Sequence, residues 1–523
     1  MLPPLDGLPH VATVSAPTAA TITTEYYDTD DLRLLRAGIK LQRLARGPDE
    51  GWRLRFPSGP KEISPVTQRE LRAPPGGSGD PVPVELARLV RAYTRGTPLR
   101  PVARIETRRN QTTLLDAAGT PLAEILADEV AAQTLGQSTT LTRWNEIEVD
   151  LTGGSKRLLR AADEQLRRGG LQPADRYGKL ERALGGEFPG QPAQPAQHAQ
   201  HAQHAQPARP ARPARHATAG AVVVAYAADQ VARITALDPA VRMDEPDSIH
   251  QLRVATRRLR STFQSFPQVL STRETRHIRD ELKWLGGVLG EARDAGVLGE
   301  YLETGLAGLP AELSMGPAQA RLRAYFAPLQ ASTRAAVSDA LDSPRYFTLL
   351  DDLDRLLTDP PLTLAAAAPA ARLLPRAIAQ AYRRTRRRMR RALRAPAGPT
   401  RDVALHEARK AAKRTRYAAE AARPLCGRAG KDGKDGRDGR DGKDARRFAQ
   451  RMKAVQEVLG DHQDAVNARA TAREIGVRAN LAGESSFTFG ILHERAHRDA
   501  LDSEGPAWHA WQRAAHSKAR KRL

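Results

Sequence analysis

The spacing of hydrophobic and polar positions along the chain changes once, and the change divides the protein. Up to about residue 186 the pattern is alternation: residues 38–44, 52–56, 102–108, 122–130 and 144–151 place apolar beside charged side chains with the period of a β-strand. Residues 84–94 and 156–170 repeat apolar positions at helical spacing. The polar positions of the strands are unusually often charged. Arg53 and Arg55 share one face, as do Arg104, Glu106 and Arg108, while Glu124 and Asp128 share another, as do Glu146, Glu148 and Asp150. A solvated outer face accounts for any single strand, but several strands presenting both signs predict an antiparallel barrel with a charged interior. From about residue 219 a 3.6-residue period takes over, with no convincing strand.

Between these regions, residues 190–216 consist of Gln-Pro-Ala, His-Ala-Gln and Arg-Pro-Ala repeats. Proline at such short intervals blocks helix and sheet, so this reads as an extended linker. Its His198, His201 and His204 recur every three residues and could chelate a metal, but a low-complexity spacer is the simpler reading. The expected organisation is α+β in two domains: a β-rich domain over 1–186, a linker over 187–218 and an all-α domain over 219–523. Residues 360–371 read as a loop or weak helix. Residues 431–444, with glycine in every third place, read as an exposed insertion and not as a stable helix.

Composition narrows the function. The length of 523 residues suits two to four domains. One cysteine, Cys426, excludes an intrachain disulfide framework and a cysteine-based zinc site and suits a reducing compartment. No secretory signal pattern opens the sequence, and the longest clean apolar stretch, 219–228, is far shorter than the ~20 residues of a membrane helix, so a cytoplasmic protein is expected. Of the formal net charge of +22, little falls early: residues 1–186 hold 26 Lys+Arg against 23 Asp+Glu. Residues 219–523 hold 53 against 36, so polyanion-binding character belongs to the helical part. Nucleic acid, inorganic polyphosphate and an anionic membrane surface all fit that charge.

Internal repetition sharpens this. The run HQLRVATRRLR at 250–260 matches HEARKAAKRTR at 406–416. His250, Arg253, Arg257 and Arg260 fall at the same offsets as His406, Arg409, Lys413 and Arg416, which places them along one helix face in each copy. Each copy is followed by Val-Leu-Gly and an aspartate: Val288-Leu289-Gly290 with Asp294, and Val458-Leu459-Gly460 with Asp464. The histidine-to-aspartate separations are 44 and 58 residues, and the difference equals the length of the 431–444 stretch. Two halves related by a pseudo-twofold would bring both stripes to one groove. Arginine forks and lysine charges along it suit a linear polyphosphate. Residues 383–394 add eight arginines, either an extension of that surface or a solvated helix that binds anions loosely.

These motifs resemble the CHAD domain, an α-helical module of duplicated four-helix bundles that binds inorganic polyphosphate. The resemblance spans about residues 219–523. It implies that His250, Arg253, Arg257, Arg258 and Arg260 line the site, with His406, Arg409, Lys410, Lys413, Arg414 and Arg416 opposite. Lys283, Arg293 and Lys453 also match basic positions, whereas Gln463 stands where the first copy has Arg293, with His462 as a partial substitute.

The N-terminal part resembles the CYTH domain, the triphosphate tunnel metalloenzyme fold. The matching pieces are Tyr26-Tyr27-Asp28-Thr29, residues 32–38, Gly51-Trp52-Arg53-Leu54-Arg55, residues 101–104, residues 145–149 and Lys179-Leu180. The resemblance implies phosphate contacts at Arg55, Arg104, Arg108 and Lys179. It implies Mg²⁺ or Mn²⁺ at Glu146 and Glu148, with Glu124 and Asp128 behind them. The family's opening Glu-x-Glu-x-Lys strand is absent upstream of Tyr26, so the barrel is expected to lack its first strand, either because the start site is set too late or because the barrel has lost its chemistry, and Gln42 and Leu44 stand where a second inward basic pair would be.

Three readings follow. One is a polyphosphate-binding protein, a docking module tethered to a degenerate tunnel and associated with polyphosphate granules. The second is a metal-dependent triphosphatase or polyphosphatase acting on triphosphate-containing small molecules, with the linker raising the local substrate concentration. The third, a general nucleic-acid binder, is disfavoured because the basic helices lack interleaved aromatics and no DNA-reading motif occurs; Trp284 beside Lys283 reads as core.

Overall fold

The computed structural model describes residues 7–46, 50–57, 70–75, 81–136, 138–173, 178–185, 217–422, 437–517 and 520. The chain forms two compact units that divide after Ala208. The linker histidines His198, His201 and His204, together with Cys426, lie outside the described residues.

The first unit is built on strands β1 (Thr13–Val14), β2 (Thr18–Asp28), β3 (Lys40–Arg46), β4 (Gly51–Arg55), β5 (Glu70–Ala73), β6 (Arg100–Leu115), β7 (Pro121–Thr134) and β8 (Leu141–Leu151). They pair antiparallel in the order β5-β4-β3-β2-β6-β7-β8, with β1 also on β6. The expected barrel is corrected to an open sheet: among the described residues its two edges, β5 and β8, do not pair. The lengths give a reason, since a four-residue β5 offers few backbone groups to an eleven-residue β8.

Short helices complete the unit: α1 (Arg33–Arg36), α2 (Val84–Leu89), α3 (Arg91–Thr94), α4 (Lys156–Arg168) and α5 (Lys179–Ala183). The Tyr-Tyr-Asp-Thr segment has a local reason. Buried Asp28 accepts hydrogen bonds from the backbone N–H groups of Thr29, Leu34 and Leu35 at 2.7, 2.9 and 2.9 Å, so one carboxylate holds the start of α1. One sheet face packs Ala123, Ile125 and Leu114 against Leu158 and Ala162 of α4. The other packs Ile105, Val130, Ala132 and Trp144 against Ala183 of α5.

The second unit is all helical: α6 (Ala219–Arg242), α7 (Ser248–Ser265), α8 (Arg276–Ala307), α9 (Ala318–Asp342), α10 (Pro344–Thr358), α11 (Ala370–Arg394), α12 (Pro399–Ala421), α13 (Arg437–Leu481) and α14 (Phe487–Ala515). Helices α6–α10 form the first half and α11–α14 the second, so the first half carries one helix more than the expected four. Contacts between α7 and α12, and between α8 and α13, join the halves. On α7 the residues Leu252, Ala255, Leu259 and Phe263, three or four apart, form the buried stripe. Helix α6 is long and apolar enough to cross a membrane by composition. It packs instead on α7, α10 and α11.

The glycine-repeat stretch needs a correction. Residues 437–444 are the first turns of α13, and residues 431–436 lie outside the described residues. Continuity with a long helix removes the nucleation cost that makes such a sequence unable to start one alone.

Arg242 ties α6 to α9. Its Nε donates to Asp238 at 2.6 Å, Nη1 to Asp342 at 2.5 Å and Nη2 to the Leu341 carbonyl at 2.8 Å, with the Asp238 side chain fully buried. Replacing Arg242 with Met would leave Asp238 buried without its partner. Urea unfolding is expected to show a loss of about 3–5 kcal/mol for Arg242→Met, part of it restored by adding Asp238→Asn.

Candidate functional site

Helices α7 and α12 pack against each other through the segments that carry the matched basic runs. On α7 the cations sit beside the apolar stripe of Leu252 and Leu259; Arg257 reaches α12, whereas Arg253 lies against Gly290 and Asp294 of α8. Arg257 donates from Nε to the Tyr417 hydroxyl at 3.0 Å across this contact. The Tyr417 ring is a shared platform, with the guanidinium carbons of Arg257, Arg258 and Arg416 at 5.8, 5.9 and 5.6 Å from its centroid. Buried Glu420 anchors two of them: it lies 3.1 Å from Arg258 and 2.8 Å from Arg416, and Arg416 also donates to Gln456 at 3.1 Å.

The remaining cations are poorly compensated. Arg253 reaches Asp294 at 3.4 Å, and Arg409 is near Asp464 but has a buried Nε without a hydrogen-bond partner. Burial, reinforced by neighbouring like charges, holds Arg253, Arg260, Arg409 and Arg414 below the ordinary arginine range. Lys413 is affected most. Burial, then Arg257, Arg409 and Arg253, push it down to about 6, and Asp464 offsets only part of this. His250 and His406 occupy equivalent places in the two copies. Both are lowered by burial, and in both the buried Nδ1 lacks a hydrogen-bond partner.

The Val-Leu-Gly motifs acquire a reason here. A Cβ on Gly290 would stand 3.1 Å from Nη2 of Arg253, and one on Gly460 would stand 3.1 Å from Nη2 of Arg409. Each glycine on α8 or α13 therefore leaves room for an arginine to cross the helix backbone. The sequence showed these glycines repeating but not what they accommodate. Tyr417 and Glu420 were not visible as site residues at all, because the first copy has Ser261 and Gln264 at their positions.

Other expected residues lie at the margin. Lys283 is exposed on α8, and Arg293 is half-buried near His250. Lys453 pairs with Glu457 at 3.1 Å, and Lys410 pairs with Glu407. Gln463 bonds Asn467 at 3.0 Å. His462 does not substitute for a second Arg293. It is buried, 3.2 Å from Asp402, with Nδ1 at 3.0 Å from both the Ala500 carbonyl and Ser503. Trp284 is half-buried, with Arg345 stacked 4.2 Å from its ring centroid.

In the first unit, the register separates residues expected together. Arg109 pairs with Asp128, which pairs with Glu146, so these share the α5 face together with Glu124 and Glu148. Arg108 pairs with Glu129, which pairs with Asn145, and Arg104 pairs with Gln133. Arg104 and Arg108 therefore project from the opposite face and are exposed. Arg55 shares the α5 face but bonds Glu70 at 2.7 Å.

The carboxylates on the α5 face are committed internally. Asp128 takes a two-pronged pair from Arg109, both contacts at 2.8 Å, and lies 2.9 Å from Lys179. Lys179 also contacts Glu146 at 2.6 Å, and Glu146 accepts from Trp144 at 2.7 Å. Burial opposes the charge on Asp128, but Arg109 and Lys179 outweigh it and hold the carboxyl below its usual range. Glu148 goes the other way, raised by desolvation and then by Asp150. No group of three or more metal-binding side chains occurs among the described residues. Glu146, Glu148, Glu124 and Asp128 do not fit a Mg²⁺ or Mn²⁺ centre in this arrangement, because Asp128 and Glu146 already neutralise two cations.

The family model for the CHAD domain matches residues 225–473, which include both basic helices and both glycine motifs. The helical unit carries a CHAD domain. Over the whole length, the chain belongs to one family with the uncharacterized protein MT2285 of Mycobacterium tuberculosis (strain CDC 1551 / Oshkosh) and the uncharacterized protein Rv2226 of a second strain of that organism. It is 35% identical to each over 515 residues, which is 94% of this chain and 90% of theirs. Among solved structures, it is similar to PptA from Streptomyces chartreusis, at 20% identity and a TM-score of 0.45, over 57% of this chain and 100% of that one. It is also similar to the CHAD domain from the plant Ricinus communis, at 23% identity and a TM-score of 0.45, over 60% and 98% of the two chains.

The depressed Lys413 in the CHAD domain has a consequence for folding. The unfolded chain holds that proton up to the ordinary lysine range near 10.5, whereas the folded chain releases it near 6. Stability therefore rises with pH across that window. Lys413→Met should remove this rise and increase the melting temperature at pH 7. Thermal melts of the two proteins from pH 6 to 10 test this, and parallel curves would contradict it.

Proposed function

We propose that the CHAD domain binds inorganic polyphosphate in the groove between α7 and α12. The observation that carries this reading is the pair of matched cation stripes brought face to face with too few acids to neutralise them. A chain with a negative charge on each unit relieves that repulsion along its length. Arginine forks at Arg253, Arg257, Arg409 and Arg414 offer paired donors to phosphoryl oxygens, and Lys413 offers a compact charge. His250 and His406, each with a free ring nitrogen, mark equivalent positions along the two stripes.

Among the described residues of the first unit, Asp128, Glu146, Arg109 and Lys179 pair with one another. This internal pairing favours the binding reading over triphosphate hydrolysis in this unit. A cytoplasmic, polyphosphate-associated role fits the binding reading.

Binding is best measured on the full chain with long-chain polyphosphate at physiological salt, with duplex DNA in charge excess as competitor. Retained binding supports a shaped groove, and displacement by DNA would overturn it. Arg253→Glu and Arg409→Glu should each lower affinity by at least about 10- to 100-fold, the worth of one charge-assisted contact. Gly290→Ala and Gly460→Ala should lower affinity without lowering the melting temperature, since alanine favours helix by about 1 kcal/mol while its methyl displaces the arginine. Binding at pH 7–8 should also take up close to one proton as Lys413 regains its charge, read by calorimetry in buffers of different ionisation enthalpy.

A further inference from the structure

Helix α11 carries a second cationic feature beyond the groove. Arg383, Arg386, Arg387, Arg390, Arg391 and Arg394 line a recess of about 700 Å³, closed by Ala395 and Thr400. All six arginines are exposed, and no acid among the described residues pairs with them. The helix is held by its opposite side, where Leu374, Ile378, Tyr382, Met389 and Ala392 are buried. Packing therefore uses the apolar stripe and leaves the arginines with no role in holding the bundle together.

This surface is connected to the groove. Arg260 on α7 is depressed in part by Arg414 on α12, and Arg414 in turn by Arg384 and Arg388 on α11. The nearest interruption is Glu407, 3.7 Å from Arg388 and paired with Lys410. A run of cations thus leads from the α7–α12 contact onto the outer face of α11. From Arg383 to Arg394 the helix extends this run by roughly 16 Å at about 1.5 Å per residue.

We infer that α11 is an outer docking track for the part of a long polyphosphate chain that emerges from the groove, so that the domain selects long chains over short ones. The inference rests on the groove reading above. Inorganic polyphosphate suits the track better than nucleic acid, because its outer face offers no aromatic ring for a base to stack on. The one aromatic residue of α11, Tyr382, is buried and stacked on Trp511 at 5.5 Å.

The test compares the full chain with a variant carrying Arg383→Gln, Arg387→Gln, Arg391→Gln and Arg394→Gln, using tripolyphosphate and long-chain polyphosphate at several salt concentrations. Affinity for tripolyphosphate should be unchanged. Affinity for the long chain should fall about tenfold or more, and its salt dependence should flatten by about 3 in log–log slope, as expected for four lost phosphate contacts. Lysine at the same four positions should restore most of the long-chain affinity, which separates lost charge from lost structure. If the unsubstituted chain binds neither ligand, the groove reading falls and this one with it. If it binds both and the glutamine variant loses neither, or loses both equally, the track alone is overturned. The same pair of proteins is also titrated with duplex DNA and RNA, and a loss confined to those ligands would overturn the track, assigning α11 to nucleic acid.

Discussion

The helical unit is organised around a repulsion that it does not resolve internally. Burying the apolar sides of α7 and α12 forces Arg253, Arg257, Arg409 and Lys413 into a shared space, where burial and like charge push Lys413 down to about 6. The surrounding structure limits the repulsion. Glu420 binds Arg258 and Arg416, the Tyr417 ring receives three guanidinium groups, and Gly290 and Gly460 give two arginines room to lie across neighbouring helices. What these devices leave uncompensated is the positive charge on which the proposed polyanion binding rests.

The sheet unit makes the opposite use of similar residues. Asp128, Glu146, Arg109 and Lys179 converge on one face, as a phosphate- and metal-binding tunnel would require, but they pair with one another at 2.6–2.9 Å. Paired in this way, the charges hold α5 over the sheet. The two units show that the presence of ionisable residues on a common face says little about chemistry until their partners are known. A carboxylate that already neutralises two cations is a poor metal ligand, whereas a lysine among arginines is ready to take up a proton.

Much of the helical site was legible from residue spacing. The duplicated run carried its helical phase within itself, so the cationic face of each copy followed from the sequence, and the equal spacing of the glycine and aspartate motifs tied α8 and α13 to the same repeat. Strand positions β3, β4, β6, β7 and β8 were also recognisable from alternation. Central strand β2 was not, because its Thr- and Ala-rich first half has no apolar–polar alternation. The reading of 431–444 failed in its last eight residues because local propensity was overridden by continuity with α13.

The sequence by itself determined which residues are repeated, which helix face each cation occupies and where the charge is concentrated. Tertiary structure decided whether those charges meet a partner. Helical phase is intrinsic to a segment, so one sequence copy suffices to place four groups on a line. Strand face is relative, because a shift of one residue exchanges the two sides of a sheet. Only the pairing of β6, β7 and β8 put Arg109 with Asp128 and sent Arg104 and Arg108 to the other side. Only the packing of α7 on α12 set two basic faces against each other, because neither segment encodes the distance to the other.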